Sequence, residues 1–162
     1  MNERISLLKN FRLFENISES DLPALLKCLN AKVSTYQKDD FIFVSGDAPS
    51  LFGIVLSGAV QIVREDFWGN AEILAVLTTE ELFAESFVFA NIKELPVTVR
   101  CSQNSEVLLL SPSNFLSVCP SHCPFHKQIV LNLVRIMASK NVLLRQKTEI
   151  LSKRTLREKR CV

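Results

Sequence analysis

The spacing of apolar residues changes twice along the chain, and each change predicts a different kind of structure. Over residues 3–11, Ile5, Leu7, Leu8 and Phe11 are compatible with a short helix. Ser18-Glu-Ser-Asp21 has the form of a capping box, and Ser20 is an equally good cap that leaves Pro23 in the first turn. Leu22, Leu25, Leu26 and Leu29 then form a helical stripe. From residue 31 to 110 the pattern shifts to short apolar runs about ten residues apart, at 33–36, 41–44, 52–56, 59–63, 73–77, 97–101 and 107–110. Turn-forming residues separate them at Lys38–Asp40, Ser45–Pro49, Ser57-Gly58, Trp68–Asn70 and Gln103–Ser105. Seven or eight short strands spaced this way predict a mainly β domain, an antiparallel sandwich or barrel closed by hairpins. The stretch 78–96 breaks the rhythm, and an irregular insertion of that length points to function.

After Pro120 the helical period returns. Apolar residues from Ile129 to Leu151 cover more than one face of a helix of about 25 residues, more than one sheet can bury. A second face against a partner accounts for the excess. The pattern therefore predicts a parallel helix pair at a homodimer interface, formed by Ile129, Leu133, Ile136, Met137, Lys140, Leu143 and Leu144. An amphipathic helix packed within one chain is the alternative.

Composition fits this reading. The 162 residues are 48% apolar and 22% charged, with eleven Phe, four Gly and six Pro, which excludes disordered and collagen-like chains. No apolar run approaches the roughly 20 residues of a membrane span, and the N-terminus lacks the marks of a secretory signal. Five cysteines, an odd number, fit a reduced cytoplasmic setting better than a disulfide framework. Cys28 and Cys101 read as core residues. Charge is uneven: residues 1–139 hold 11 Lys/Arg against 15 Asp/Glu, and residues 140–162 hold 8 against 2. An acidic body with a basic tail suits contact with nucleic acid or an acidic surface, or simply a solvated helix end.

The order of these features resembles the effector-binding domain of the Crp/Fnr family of bacterial transcription regulators, across essentially residues 5–160. Phe41-Ile-Phe-Val-Ser-Gly-Asp-Ala-Pro49 is similar to the family's strand and Gly-Asp turn, and Leu51-Phe-Gly-Ile-Val-Leu-Ser-Gly-Ala-Val-Gln-Ile62 to its next hairpin. Leu82-Phe-Ala-Glu-Ser-Phe87 resembles the start of the phosphate-binding cassette, and Leu151-Ser-Lys-Arg-Thr-Leu-Arg-Glu-Lys159 the hinge before the DNA-binding domain. The resemblance implies an antiparallel jelly roll, a double-stranded β-helix, followed by a long dimerisation helix. It implies an effector-sensing domain over 1–125, a dimerisation helix over 126–152, and over 153–162 the hinge of a helix-turn-helix domain that the chain does not contain. DNA would be read only through that domain.

Within the cassette the resemblance implies departures from cyclic-nucleotide binding. Glu85 matches the ribose-binding Glu, but Ala84 stands at the preceding Gly. Leu95 and Pro96 stand where cAMP-binding members carry an Arg-Ser pair. Leu has no charge and Pro no N–H, so both phosphate-binding side chains are missing. The implied effector is a small molecule other than a cyclic nucleotide, held by Phe83, Ala84, Glu85, Ser86, Pro96, Val97, Leu144 and Arg145. Arg145 is the candidate replacement cation, leaning over the effector from the long helix; a helix-face Arg in solvent is the alternative. Glu85 has its own alternative, as a cap on a short helix inside the insertion.

Cys119, His122, Cys123 and His126 recur at i, i+3, i+4 and i+7 and are donors that zinc or iron prefers. Pro120 and Pro124 interrupt a regular helix there, and structural zinc sites draw ligand pairs from separate segments. A metal or redox sensor is therefore a lesser alternative, as is a stand-alone ligand-binding module. No nucleophile–base pair, phosphate-binding glycine loop or paired carboxylates point to an enzyme, and no cofactor is implied.

Overall fold

The computed structural model describes residues 2–117 and 124–160. Two four-stranded antiparallel sheets face each other as a jelly roll, with strand orders β1-β8-β3-β6 and β2-β7-β4-β5. The strands are β1 (Lys32–Tyr36), β2 (Phe41–Phe43), β3 (Phe52–Ser57), β4 (Val60–Glu65), β5 (Ala71–Leu77), β6 (Leu82–Phe83), β7 (Thr98–Cys101) and β8 (Ser105–Leu110). Each run expected from the sequence is a strand, shifted by two residues or fewer at its ends. Central β3 is buried from Phe52 to Leu56, the continuous apolar run of a strand covered on both faces. Edge strand β5 leaves Ile73, Leu74 and Val76 about half exposed.

Among the described residues, five helices flank the sheets: α1 (Asn2–Leu8), α2 (Leu22–Cys28), α3 (Glu85–Phe89), α4 (Pro112–Leu116) and α5 (Pro124–Arg160). Helix α1 stops three residues short of the expected end, and a 3-10 turn at Arg12–Phe14 follows. Helix α2 has Pro in its first turn, and its Leu22, Leu25 and Leu29 stripe is fully buried. Each such side chain stabilises the fold by roughly 1.5–3 kcal/mol. The Ser18 hydroxyl bonds the Asp21 carboxylate rather than capping a backbone N–H. The shared core gathers Phe14, Phe52, Phe83 and Phe115, with the Phe52 ring 5.2 Å from Phe115 and 5.3 Å from Phe89.

Helix α5 runs 37 residues, longer than the 25 expected, and stays helical through 153–160, where a hinge was expected. Its beginning is fixed to the body by Asn132, which is 2% exposed. Its amide donates to the carbonyls of Leu13 and Glu15 at 2.9 and 2.7 Å and accepts from Gln128 at 2.8 Å. Ile129 and Leu133 flank this anchor at 0% and 4% exposure, packed in their own chain's core. That corrects the expectation of Ile129 and Leu133 in a dimer interface: side chains buried within one chain have no surface left for a partner. Ile136 and Met137 are half buried against the same core.

Candidate functional site

The stretch 78–96 builds a cassette against the end of β3. Val55 donates to Glu81 and accepts from Glu80, and Leu82 and Phe83 pair with Ile54 and Gly53. Ala84 then takes φ +65°, the left-handed region that side chains disfavour, and the chain turns at once into α3. The left-handed backbone explains why a Gly suits this position. At the far end of the cassette, Leu95 exchanges backbone hydrogen bonds with Gly46 and Asp47 at 2.9 Å each, and Gly46 has φ +94°. The Leu95 side chain is 3% exposed, and Pro96 beside it is exposed.

A cavity of about 210 Å³ opens beside the cassette, lined by Ile62, Leu77, Leu82 to Phe87 and Lys140. It lies below the roughly 300–1,000 Å³ usual for ligand sites. Its walls are mainly apolar, with Phe83 buried and 5.9 Å from the Phe43 ring. Glu85 is 3% exposed. A carboxylate so far from water needs a cation, and Lys140 supplies it: Nζ lies 2.6 Å from Glu85 Oε1 and donates to the Leu82 carbonyl at 3.1 Å. Cassette and long helix are thereby joined by one charged contact, and the lining carries one charge of each sign.

Of the residues expected at the effector, Phe83, Ala84, Glu85 and Ser86 line this cavity; Pro96, Val97, Leu144 and Arg145 do not. Arg145 is exposed and, among the described residues, makes no ion pair or hydrogen bond. At 3.6 residues per turn it lies about 140° around the helix from Lys140, too far round to face the cassette. Leu144 shares the phase of Lys140 but sits one turn further out, 61% exposed. Lys140, expected at a dimer interface, holds the position expected of Arg145. A sequence signal for this exists: Ile129, Leu133, Ile136 and Lys140 continue one stripe at steps of four, three and four, and a lysine in a buried stripe implies a partner.

Cys119, His122 and Cys123 lie outside the described residues. The His126 ring bonds the Phe115 carbonyl through Nε2 at 2.7 Å, and its Nδ1 lies 3.8 Å from Cys28 Sγ. Among the described residues no three His, Cys, Asp or Glu side chains cluster to hold a metal ion. Cys101 is fully buried, and burial raises its thiol pKa. Among the described residues, no helix is long and apolar enough to cross a membrane.

Comparisons with known proteins agree with this fold. The profile of a family described as cyclic nucleotide-binding domain matches residues 33–122, more than half of the chain. Potassium channel AKT1 of rice, in both the indica and japonica subspecies, is 27% identical over 131 residues. That alignment covers 81% of this chain and only 14% of the channel. The sensor domain of the transcriptional regulator DNR from Pseudomonas aeruginosa superposes with a TM-score of 0.69 at 23% identity, covering 92% of this chain and 95% of that one. Thermus thermophilus catabolite activator protein superposes at 0.70 and 22% identity, covering 87% of this chain and 63% of the activator.

Proposed function

Because the chain belongs to the cyclic nucleotide-binding domain family, we propose that it is a ligand-sensing and dimerisation domain of the Crp/Fnr type, regulatory rather than catalytic, whose effector is not a cyclic nucleotide. The observation that carries this reading is the Lys140–Glu85 contact, 2.6 Å between α5 and the cassette. A small molecule entering the cavity meets Glu85 and must share it with, or take it from, Lys140. Occupancy then changes what holds α5, and α5 passes the change to a helix-turn-helix domain beyond it. This is a two-state element biased by differential contacts in each state. A cyclic phosphate is disfavoured because Leu95 offers no charge and Pro96 no N–H, and Lys140, the cation in the cavity lining, is already paired. The basic tail alone supports only weak, salt-sensitive contact with DNA.

Dimerisation, in this reading, uses the α5 face turned away from the body. Leu131, Val134 and Val142 are 42%, 56% and 52% exposed, and with Ala138 they recur at steps of three and four, the seam of a paired helix. Sedimentation of the chain at high concentration is expected to give a dimer that Val134→Glu dissociates; a monomer throughout removes this part.

Calorimetric titration with cAMP and cGMP tests the effector reading. No heat of binding is expected, and micromolar affinity for either nucleotide overturns it.

A second reading, a regulatory module within a different kind of protein, is favoured by the 27% identity to the rice channel. The coding sequence on either side of these codons separates the two: a helix-turn-helix after Val162 supports the first, membrane spans before Met1 the second.

A further inference from the structure

We infer that a second ligand site, for small organic carboxylates, lies on the outer side of Lys140. This inference is independent of the effector reading above. A cleft of about 280 Å³ is bounded by the Arg12–Phe14 turn, the loop joining β5 to β6, and α5. Its volume, at the lower edge of the usual range for ligand sites, suits a compact molecule. Leu82, Ile136 and Leu143 form its apolar walls, and Arg12, Thr79 and Ser139 bring polar groups to it.

The charges of the cleft identify the ligand. Glu80 accepts the Arg12 backbone N–H at 2.7 Å, and Glu81 accepts the Thr78 backbone N–H at 2.7 Å. Lys140 is committed to Glu85. The Arg12 guanidinium is left: among the described residues no carboxylate lies within 4.0 Å of it, and its sole bond runs to Ser139 Oγ at 3.4 Å. The Ser139 hydroxyl donates to the Arg135 carbonyl at 2.8 Å, so it meets Arg12 only as an acceptor and leaves most of the guanidinium's donors open. A neighbouring open groove adds Arg135 with no carboxylate in its lining.

One unpaired guanidinium fork beside an apolar wall matches one carboxylate on an apolar body, since the planar fork and the two carboxylate oxygens meet in parallel. A phosphate dianion fits worse, because it brings two charges beside Glu80 and Glu81. The bound molecule would bridge the Arg12 turn, the start of the cassette at Thr79–Leu82 and α5, and so clamp the helix on the Arg12 side of Lys140.

Benzoate and hexanoate are the probes, titrated into the full chain by calorimetry, with benzamide as the uncharged counterpart of benzoate. Expected is binding of at least one carboxylate with a Kd of about 10 mM or tighter, with no binding of benzamide. Arg12→Gln is expected to weaken binding by about tenfold or more, and Leu143→Ala to weaken it while leaving Arg12 in place. Arg64→Gln, which removes a distant surface cation, is expected to change nothing. The proposal is overturned if neither carboxylate binds, if benzamide binds as well as benzoate, or if Arg64→Gln and Arg12→Gln weaken binding equally. Thermal melts confirm that each variant is folded, and the benzoate–benzamide contrast on the unaltered protein decides the matter should Arg12→Gln fail to fold.

Discussion

Gly53 lies beneath the ring of Phe83 so closely that a Cβ on it would stand 2.1 Å from the ring's Cζ. Phe83 is 1% exposed and lines the cassette cavity, so the absent side chain at position 53 sets where a wall of the site stands. Gly53→Ala forces the ring to shift within a filled core, and overpacking of this kind costs about 1–3 kcal/mol. Urea unfolding is expected to show that loss. An unchanged midpoint would mean that the ring has room to move.

Ala84 is expected to be a weak point of the cassette. Its φ of +65° carries a penalty that glycine escapes. Ala84→Gly should therefore stabilise the domain by about 1 kcal/mol, a rise in Tm of about 3 °C, measured by thermal unfolding. Destabilisation would mean that the Ala84 methyl, 6% exposed, contributes more packing than the backbone loses in strain.

Removing Lys140 strands the Glu85 carboxylate. Breaking a fully buried pair costs about 3–5 kcal/mol, but the Lys140 side chain is 40% exposed, and solvent reduces the loss to about 1–2 kcal/mol for Lys140→Ala. Lys140→Ala combined with Glu85→Gln removes both charges and should recover part of the stability lost in Lys140→Ala. A double-mutant cycle by urea unfolding checks this, and additive losses would show that the two side chains are not coupled.

The β4–β5 hairpin tip should respond to acid. Asp66 accepts hydrogen bonds from the Asn70 backbone N–H, the Asn70 side-chain amide and the Trp68 N–H, and these hold its pKa below the ordinary 3.8, the Asn70 backbone contributing most. A carboxylate whose folded pKa is lowered gives its stabilisation in full above the ordinary value and loses it as the pH falls through the lowered one. Trp68, the sole tryptophan and 83% exposed, reports on the tip. Its emission should be constant above pH 4 and change on further acidification, and Asp66→Asn should flatten that response.

What the sequence revealed follows from which elements repeat a period. The long strands alternate or run apolar between turn residues, so β3, β4 and β8 were readable to within two residues. Two-residue β6 and five-residue α3 and α4 are too short to show any period; backbone pairing defines β6 and the left-handed Ala84 precedes α3. Helix α5 was underestimated because its regular apolar pattern ends at Leu151, while Lys, Arg, Leu and Glu beyond it sustain a helix by propensity. Glu85 and its neighbours were legible because the cassette resembles known ones. The partner of Glu85 was not, because an apolar stripe on a long helix does not tell which body it faces. Here Ile129 and Leu133 face their own chain's core.

The anchor at Asn132 gives α5 a mechanical character. The helix is fixed to the body by two hydrogen bonds from Asn132, and its last polar link to the body among the described residues is Lys140, so the twenty residues from there to Arg160 project as an arm. At 1.5 Å of rise per residue that arm is about 30 Å long. A tilt of about 5° at Lys140 displaces its tip by about 2.6 Å, close to half the pitch of the helix. A small change of angle where Lys140 meets Glu85 would therefore reach the far end of the helix as a displacement of ångströms.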